Sequence, residues 1–208
     1  MRDGCERAAD EIVVVAGIPR SGTSLVMQML EAGGLAPLCD GARRPDPDNP
    51  RGYYELEAAK RLACETDWLD AARGRAVKIV HALVPKLPSQ HTYRVLLLER
   101  RLDEVLASQD RMLARRADGE PDPALPDDRL AAVFAAQLDA AKSWLADQPN
   151  ARWQTVRHAD LIADPHASAA RIADFLGGSL DRAAMAAVVE PALYRERASG
   201  PARDRCRG

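Results

Sequence analysis

Apolar residues in this chain fall into two patterns. Short unbroken runs at Ile12 to Ala16, Ala76 to Val80 and Tyr93 to Leu98, with a weaker one at Trp153 to Val156, predict β-strands buried on both faces. Between them, apolar positions recur every three or four residues, as on one face of a helix. That periodicity predicts helices over Ser24 to Ala32, Leu56 to Ala72, Leu102 to Arg116, Leu130 to Ala146, Pro165 to Leu176 and Leu180 to Val189. Gly33-Gly34 stops the first helix, and Asp164 with Pro165 reads as an N-cap followed by a first-turn proline. Pro45 to Pro50 and the acidic, proline-rich Ala117 to Asp128 read as loops, and the tail from Ala198 as frayed.

Strands that alternate with helices predict an α/β fold: a P-loop-like, three-layer α/β/α arrangement on a mainly parallel sheet. The 208 residues are enough for a single such domain, with about ten residues frayed at either end. A net charge of −2 favours neither nucleic acid nor an anionic membrane surface, so any anion site must be local. No apolar run approaches the roughly 20 residues that span a bilayer. The charged N-terminal segment lacks a signal-peptide core, and the cysteines Cys5, Cys39, Cys64 and Cys206 form no C-x-x-C pair. Free thiols, no metal site and a cytoplasmic location are the expectations.

Chemistry concentrates where strands end. The first strand runs into a loop bounded by Gly17 and Gly22, which opens directly into the first helix. A helix N-terminus behind a glycine loop presents backbone N–H groups to an anion, and Arg20, Ser21, Thr23 and Ser24 add donors. The Gly17-x4-Gly22 spacing is that of a nucleotide-triphosphate loop, yet Thr23 stands where such loops carry lysine. At the end of the third strand lie Arg100 and Arg101, with Ser108 eight positions beyond Arg100 on the following helix. Arg100 and Ser108 are placed to clamp a second phosphate. Lys78 and His81 lie at the end of the second strand, and Glu55 follows the turn before Tyr53 and Tyr54. Either His81 or Glu55 is a candidate base. If the strand stays extended through His81, then Lys78 and His81 point to opposite faces of the sheet.

Together these segments resemble the sulfotransferases that use 3′-phosphoadenosine 5′-phosphosulfate (PAPS), in the compact bacterial type. Pro19 to Ser24 (PRSGTS) is similar to that family's 5′-phosphosulfate loop, and Arg100 to Ser108 (RRLDEVLAS) to its 3′-phosphate motif, without the Asn/Asp-Pro that commonly follows the arginine. Val156 to Gly177 resembles a later family stretch in which an aromatic residue lies near the adenine; His158 occupies that place, and Ala159 replaces an acidic residue. Arg195, in Tyr194 to Arg197, falls where members bring basic residues to the 3′-phosphate. The resemblance implies sulfuryl transfer without a metal to an acceptor hydroxyl or, less often, an amine. It assigns Arg20, Ser21, Gly22, Thr23 and Ser24 to the phosphosulfate, and Arg100, Ser108, His158 and Arg195 to the rest of the donor.

The acceptor is expected to be a small molecule held by residues 35–54, 84–91 and 117–128, the last a possible lid. Neither its identity nor an oligomeric state is legible. Two alternatives stand beside this reading. A small-molecule kinase would want lysine after Gly22 and a strand-end acid for Mg²⁺, and Val77 to His81 offers none. A non-catalytic nucleotide-binding relative would keep the donor site and lack the base.

Overall fold

A computed structural model describes residues 10–44, 46, 49, 52–116, 127–177 and 179–190. Four strands, β1 (Ile12–Gly17), β2 (Ala76–Val80), β3 (Tyr93–Glu99) and β4 (Ala151–Arg157), form one sheet in the order β2-β1-β3-β4. Every neighbouring pair is parallel. Central β1 is buried along its whole length, which is why its sequence is an uninterrupted apolar run rather than an alternating one.

Strand parity divides the core in two. Ile12, Val14 and Ala16 of β1, with Val95 and Leu97 of β3, pack toward α3 (Leu102–Arg116) and α4 (Asp127–Asp147), where Val105, Leu138, Ala141 and Leu145 complete the layer. Val13, Val15, Leu96 and Leu98 pack toward α1 (Thr23–Ala32), α6 (Pro165–Leu176) and α7 (Arg182–Ala187). The predicted three-layer, parallel α/β/α fold is the one observed.

Local departures have local causes. The helix expected over Leu56 to Ala72 is two pieces, α2 (Glu57–Lys60) and a 3-10 turn, Asp67–Ala72. The backbone leaves helical geometry at Arg61 and again at Thr66, and the Trp68 indole donates to the Glu65 carbonyl at 3.0 Å. Leu62 and Leu69 still reach the same core, so the apolar spacing is kept although the helix breaks. A short helix, α5 (His158–Ala163), lies where none was expected, and the last helix is shorter than its apolar pattern. A 3-10 turn, His81–Lys86, begins immediately after β2.

Chain order places a crevice. From β1 the chain moves outward to β2 and then crosses to β3 on the other side of β1. The loops after β1 and β3 therefore part at a topological switch point, the usual ligand position of an open parallel sheet. Gly17 pairs with Leu98 there, so both loops leave the sheet at the same level.

Candidate functional site

The loop after β1 folds tightly because two positions lack a side chain. A Cβ on Gly17 would stand 2.5 Å from the Ser21 hydroxyl and 2.9 Å from Leu98. Gly22 has φ 99°, a left-handed conformation, and a Cβ there would stand 2.5 Å from the His158 ring. Arg20 is also left-handed, with φ 71°, an uncommon state for a residue other than glycine and one that collects at functional sites. Gly22 is the N-cap of α1; no side chain caps that helix end, and no acidic residue sits in its first turn. The first N–H groups of α1 and the positive end of its dipole are thus left for an external anion.

The two phosphate motifs meet across the crevice. Arg20 donates from Nε to the Ser108 hydroxyl of α3 at 3.0 Å. Arg100 donates from Nη1 to the Arg20 carbonyl at 3.0 Å and from Nε to Glu104 at 3.0 Å. Arg100, Glu104 and Ser108 recur at intervals of four, so one line of side chains approaches the loop. Glu104, buried like Arg100, fixes the guanidinium by a charged hydrogen bond. Ser21 is fully buried, its hydroxyl turned toward Gly17 beneath the loop and without a hydrogen-bond partner, so its side chain lies inside the turn.

A lysine of the neighbouring strand reaches the start of α1. Lys78 of β2 shares a sheet face with Ala76, the face that packs on α1, and its Nζ reaches the Ser24 hydroxyl at 3.5 Å and the Tyr53 carbonyl. Ser24 donates to the same carbonyl at 3.3 Å. Burial pushes the Lys78 ammonium down to about 8; Glu55 opposes this, while Arg43 and Lys60 add to it.

Glu55 stands beside Lys78 in the extended segment that leads into α2. Its carboxylate meets Arg43 at 2.9 Å, Lys60 at 3.0 Å and Lys78 at 3.8 Å. Burial alone would raise its pKa, but Lys60, Lys78 and Arg43 together hold it below the usual carboxylate value. Arg43 in turn lies over the Tyr53 ring, 3.3 Å from guanidinium carbon to ring centroid.

His81 is placed differently from what a base needs. The strand ends before it, the 3-10 turn carries its ring to the α4 side of the sheet, and it is 1% exposed. Nδ1 lies 3.3 Å from the Gly17 carbonyl and Nε2 2.8 Å from Gln137, while Phe134 packs edge-on against the ring. Burial lowers its pKa, partly offset by those two hydrogen bonds. Lys78 and His81 do serve opposite faces.

His158, expected near an adenine, is buried against Gly22. Burial, then the nearby Arg100 charge, pushes it down to about 4, with Glu104 opposing. A neutral imidazole in that place supports the loop; little of its face is open for stacking. Arg195 and residues 117–126 of the expected lid lie outside the described residues. Cys39 and Cys64 are exposed free thiols. Among the described residues no cluster of His, Cys, Asp and Glu is arranged to hold a metal ion, and no helix is long and apolar enough to cross a membrane.

Motif reading singled out Lys78 and Tyr53 without giving them a role, and it gave none to Glu104 or Arg43, which the fold brings to the same crevice. The spacing of four between Arg100 and Glu104, and the strand parity of Lys78, were the available signals.

The fold and this site define a P-loop-like α/β protein whose glycine loop and the arginine after β3 meet at one crevice. The chain belongs to the sulfotransferase domain family, whose sequence profile matches residues 10–202. Among solved structures it is similar to the sulfotransferase STF1 from Mycobacterium tuberculosis H37Rv, with 20% identity and a TM-score of 0.55 over 90% of this chain and 74% of that one. A sulfotransferase domain from the Synechococcus PCC 7002 olefin synthase matches at 19% identity and a TM-score of 0.48, covering 95% and 92% of the two chains. Comparison with curated protein sequences finds no match.

Proposed function

We propose that this protein transfers a sulfuryl group from 3′-phosphoadenosine 5′-phosphosulfate to an acceptor hydroxyl or amine by in-line displacement. The observation that carries the reading is the pair of links from Arg20 to Ser108 and from Arg100 to the Arg20 carbonyl. They join two phosphate-type motifs, 80 residues or more apart in sequence, into one cradle at the switch point. The cradle suits the donor: an uncapped helix end for the 5′ group, and a second arginine–serine pair for the 3′-phosphate.

In this reading the α1 N-terminus, Thr23 and Ser24 bind the 5′-phosphosulfate. Arg20 and Lys78 stabilise charge that builds on the leaving oxygen. Glu104 holds Arg100 so that it and Ser108 take the 3′-phosphate, and His158 keeps Gly22 in place. Glu55 is the better-supported base, because its carboxylate stands 3.8 Å from Lys78, which itself reaches Ser24, while His81 is sealed. It is ionised at neutral pH and weakly basic, so it takes the proton late, after bond formation has made the attacking hydroxyl acidic. The acceptor is a small molecule.

Isothermal titration with 3′-phosphoadenosine 5′-phosphate, against ATP with Mg²⁺, tests the donor. Micromolar or tighter bisphosphate binding with much weaker ATP is expected; the reverse order would return the loop to the kinases. Arg100→Ala should weaken the bisphosphate by about 10- to 100-fold, the size of a charged hydrogen bond. Adenosine 5′-phosphosulfate, which lacks the 3′-phosphate, should lose far less. Equal losses would make Arg100 a support for the Arg20 loop only.

A further inference from the structure

One backbone carbonyl occupies groups that the donor needs. The Tyr53 carbonyl accepts from the Ser24 hydroxyl at 3.3 Å and from the Lys78 ammonium. Ser24 and Lys78 are the groups assigned above to the 5′ end of the donor, so carbonyl and anion compete for them. The conflict is strict at Ser24, because a serine hydroxyl has a single proton to donate. While that proton serves Tyr53, it cannot serve an anion. Lys78 has three N–H bonds and is less constrained. Even so, the carbonyl points the negative end of its dipole at the place where an anion would arrive.

The backbone is strained at the same point. Tyr54 has φ 53°, a left-handed conformation that is an outlier for a bulky side chain. That dihedral and the Tyr53 carbonyl belong to one peptide group. Turning the plane between the two tyrosines changes ψ of Tyr53 and φ of Tyr54 together. A half-turn withdraws the carbonyl from Ser24 and Lys78 and takes Tyr54 to negative φ, where L-residues are unstrained. It also brings the Tyr54 N–H to the side that the carbonyl has left. The flanks suit a movement of this peptide alone. Gly52, with φ 97°, can absorb the residual turn before Tyr53. Both side chains are moored: the Tyr53 hydroxyl on Asp46 at 2.6 and 2.7 Å, the Tyr54 hydroxyl on Glu31 at 2.5 Å.

We propose that the Tyr53–Tyr54 peptide turns over when the donor binds, so that the Tyr54 N–H joins Ser24 and Lys78 on the donor's 5′ anion. A hydrogen-bond acceptor is exchanged for a hydrogen-bond donor at the place where the negative charge sits. A charged phosphate or sulfonate oxygen takes stronger hydrogen bonds from an ammonium and a hydroxyl than a neutral carbonyl does, which favours the exchange. Relief of the Tyr54 backbone adds to it. Tyr54 is thereby a binding residue through its main chain, which no side-chain motif discloses. The inference rests on the sulfuryl-transfer reading for the identity of the anion.

The test has two arms. Isothermal titration with 3′-phosphoadenosine 5′-phosphate compares the wild-type chain with Tyr54→Gly and Tyr54→Phe. Glycine holds a left-handed φ without strain, so Tyr54→Gly keeps the carbonyl in place more firmly and should bind the bisphosphate about fivefold or more weakly. Tyr54→Phe keeps the backbone strain, loses only the hydroxyl on Glu31 and should bind as wild type does. A crystal structure of the wild-type complex should show the Ser24 hydroxyl released from Tyr53 and the Tyr54 N–H on the 5′-phosphate. Bound bisphosphate with the Tyr53 carbonyl still on Ser24 would overturn the proposal and leave the donor reading standing. So would a Tyr54→Gly chain that binds with wild-type affinity. No binding of the bisphosphate to the wild-type chain would overturn both, since nothing then competes with the carbonyl.

Discussion

Two helix N-termini in this molecule solve the same problem in opposite ways. At α6, Asp164 accepts from the Ala167 N–H at 2.9 Å and Pro165 occupies the first turn, where its missing N–H costs nothing. Helix α7 repeats the device with Asp181 and Ala184 at 2.9 Å. At α1 the cap position is Gly22, no side chain caps it, and the nearby polar groups are cations and hydroxyls: Arg20, Ser24 and Lys78. A helix end that supplies its own carboxylate is finished as structure. One that supplies only donors is open to a ligand, and in the proposed reading that ligand is the donor's anionic 5′ group.

Arg20→Ala should break the comparison most severely. It removes the side chain that joins the loop to Ser108 and that, in the proposed reading, faces the developing negative charge. Turnover should fall by about a hundredfold or more, the scale seen when one transition-state donor is lost. Turnover close to wild type in a steady-state assay with a found acceptor would remove Arg20 from the mechanism.

Gly22→Ala comes next. The left-handed φ of 99° and the close approach of the His158 ring both oppose a methyl group. The backbone term alone is of order 1–3 kcal/mol, and the ring must also shift. Thermal unfolding should show the loss, and bisphosphate binding should fall with it. Gly22→Ala paired with His158→Ala should recover part of the packing cost but none of the backbone cost.

Lys78 tests the charge at the α1 end by pH. Burial holds its folded pKa at about 8, below the ordinary lysine value near 10.4. Below pH 8 the ammonium is present and anion affinity is complete. Above it the free protein loses the proton, and bisphosphate affinity should drop, approaching about tenfold per pH unit. Folding stability moves the other way over the same window. Between about pH 8 and 10.4 the unfolded chain binds this proton more tightly, so the Lys78 contribution to stability rises with pH. Lys78→Met should flatten both trends; a pH-independent affinity in the wild type would separate Lys78 from the donor.

What the sequence disclosed follows from how each part is encoded. Ile12 to Ala16 and Tyr93 to Leu98 are buried on both faces, so their runs are continuous and their strands legible. Arg100 and Ser108 lie on one helical line, so a spacing rule finds them. Glu55, Arg43 and Tyr53 come from an irregular segment, where no period links residues 12 positions apart. Only the folded path brings Arg43 onto the Tyr53 ring. His81 and His158 were visible as histidines, yet their burial depends on Gln137 and Gly22, contacts across 56 and more than 130 residues that no local pattern carries. The Leu56 to Ala72 pattern was true of burial and misleading about helix continuity, because the same leucines reach the core from two short turns.

The smallest expected effect is the one that isolates the principle. Asp164→Ala removes the carboxylate cap of α6 and leaves the Ala167 N–H to water, which should cost about 1 kcal/mol of stability, within the 0.5–2 kcal/mol usual for a lost cap. Bisphosphate affinity should change little, because Asp164 caps α6 from the end of α5 opposite His158, the residue that packs on Gly22. Ser24→Ala at α1 should give the converse: little change in unfolding temperature and a measurable loss of bisphosphate affinity, since Ser24 caps nothing within its own helix and donates instead to the Tyr53 carbonyl. Differential scanning calorimetry, run with and without the bisphosphate, reads both variants on one scale. Ligand-induced stabilisation should be intact in Asp164→Ala and reduced in Ser24→Ala. If Asp164→Ala also lost it, the two helix ends would be coupled through the α1–α6 layer. The division between a structural and a ligand-completed terminus would then have to be drawn around that whole layer of the fold.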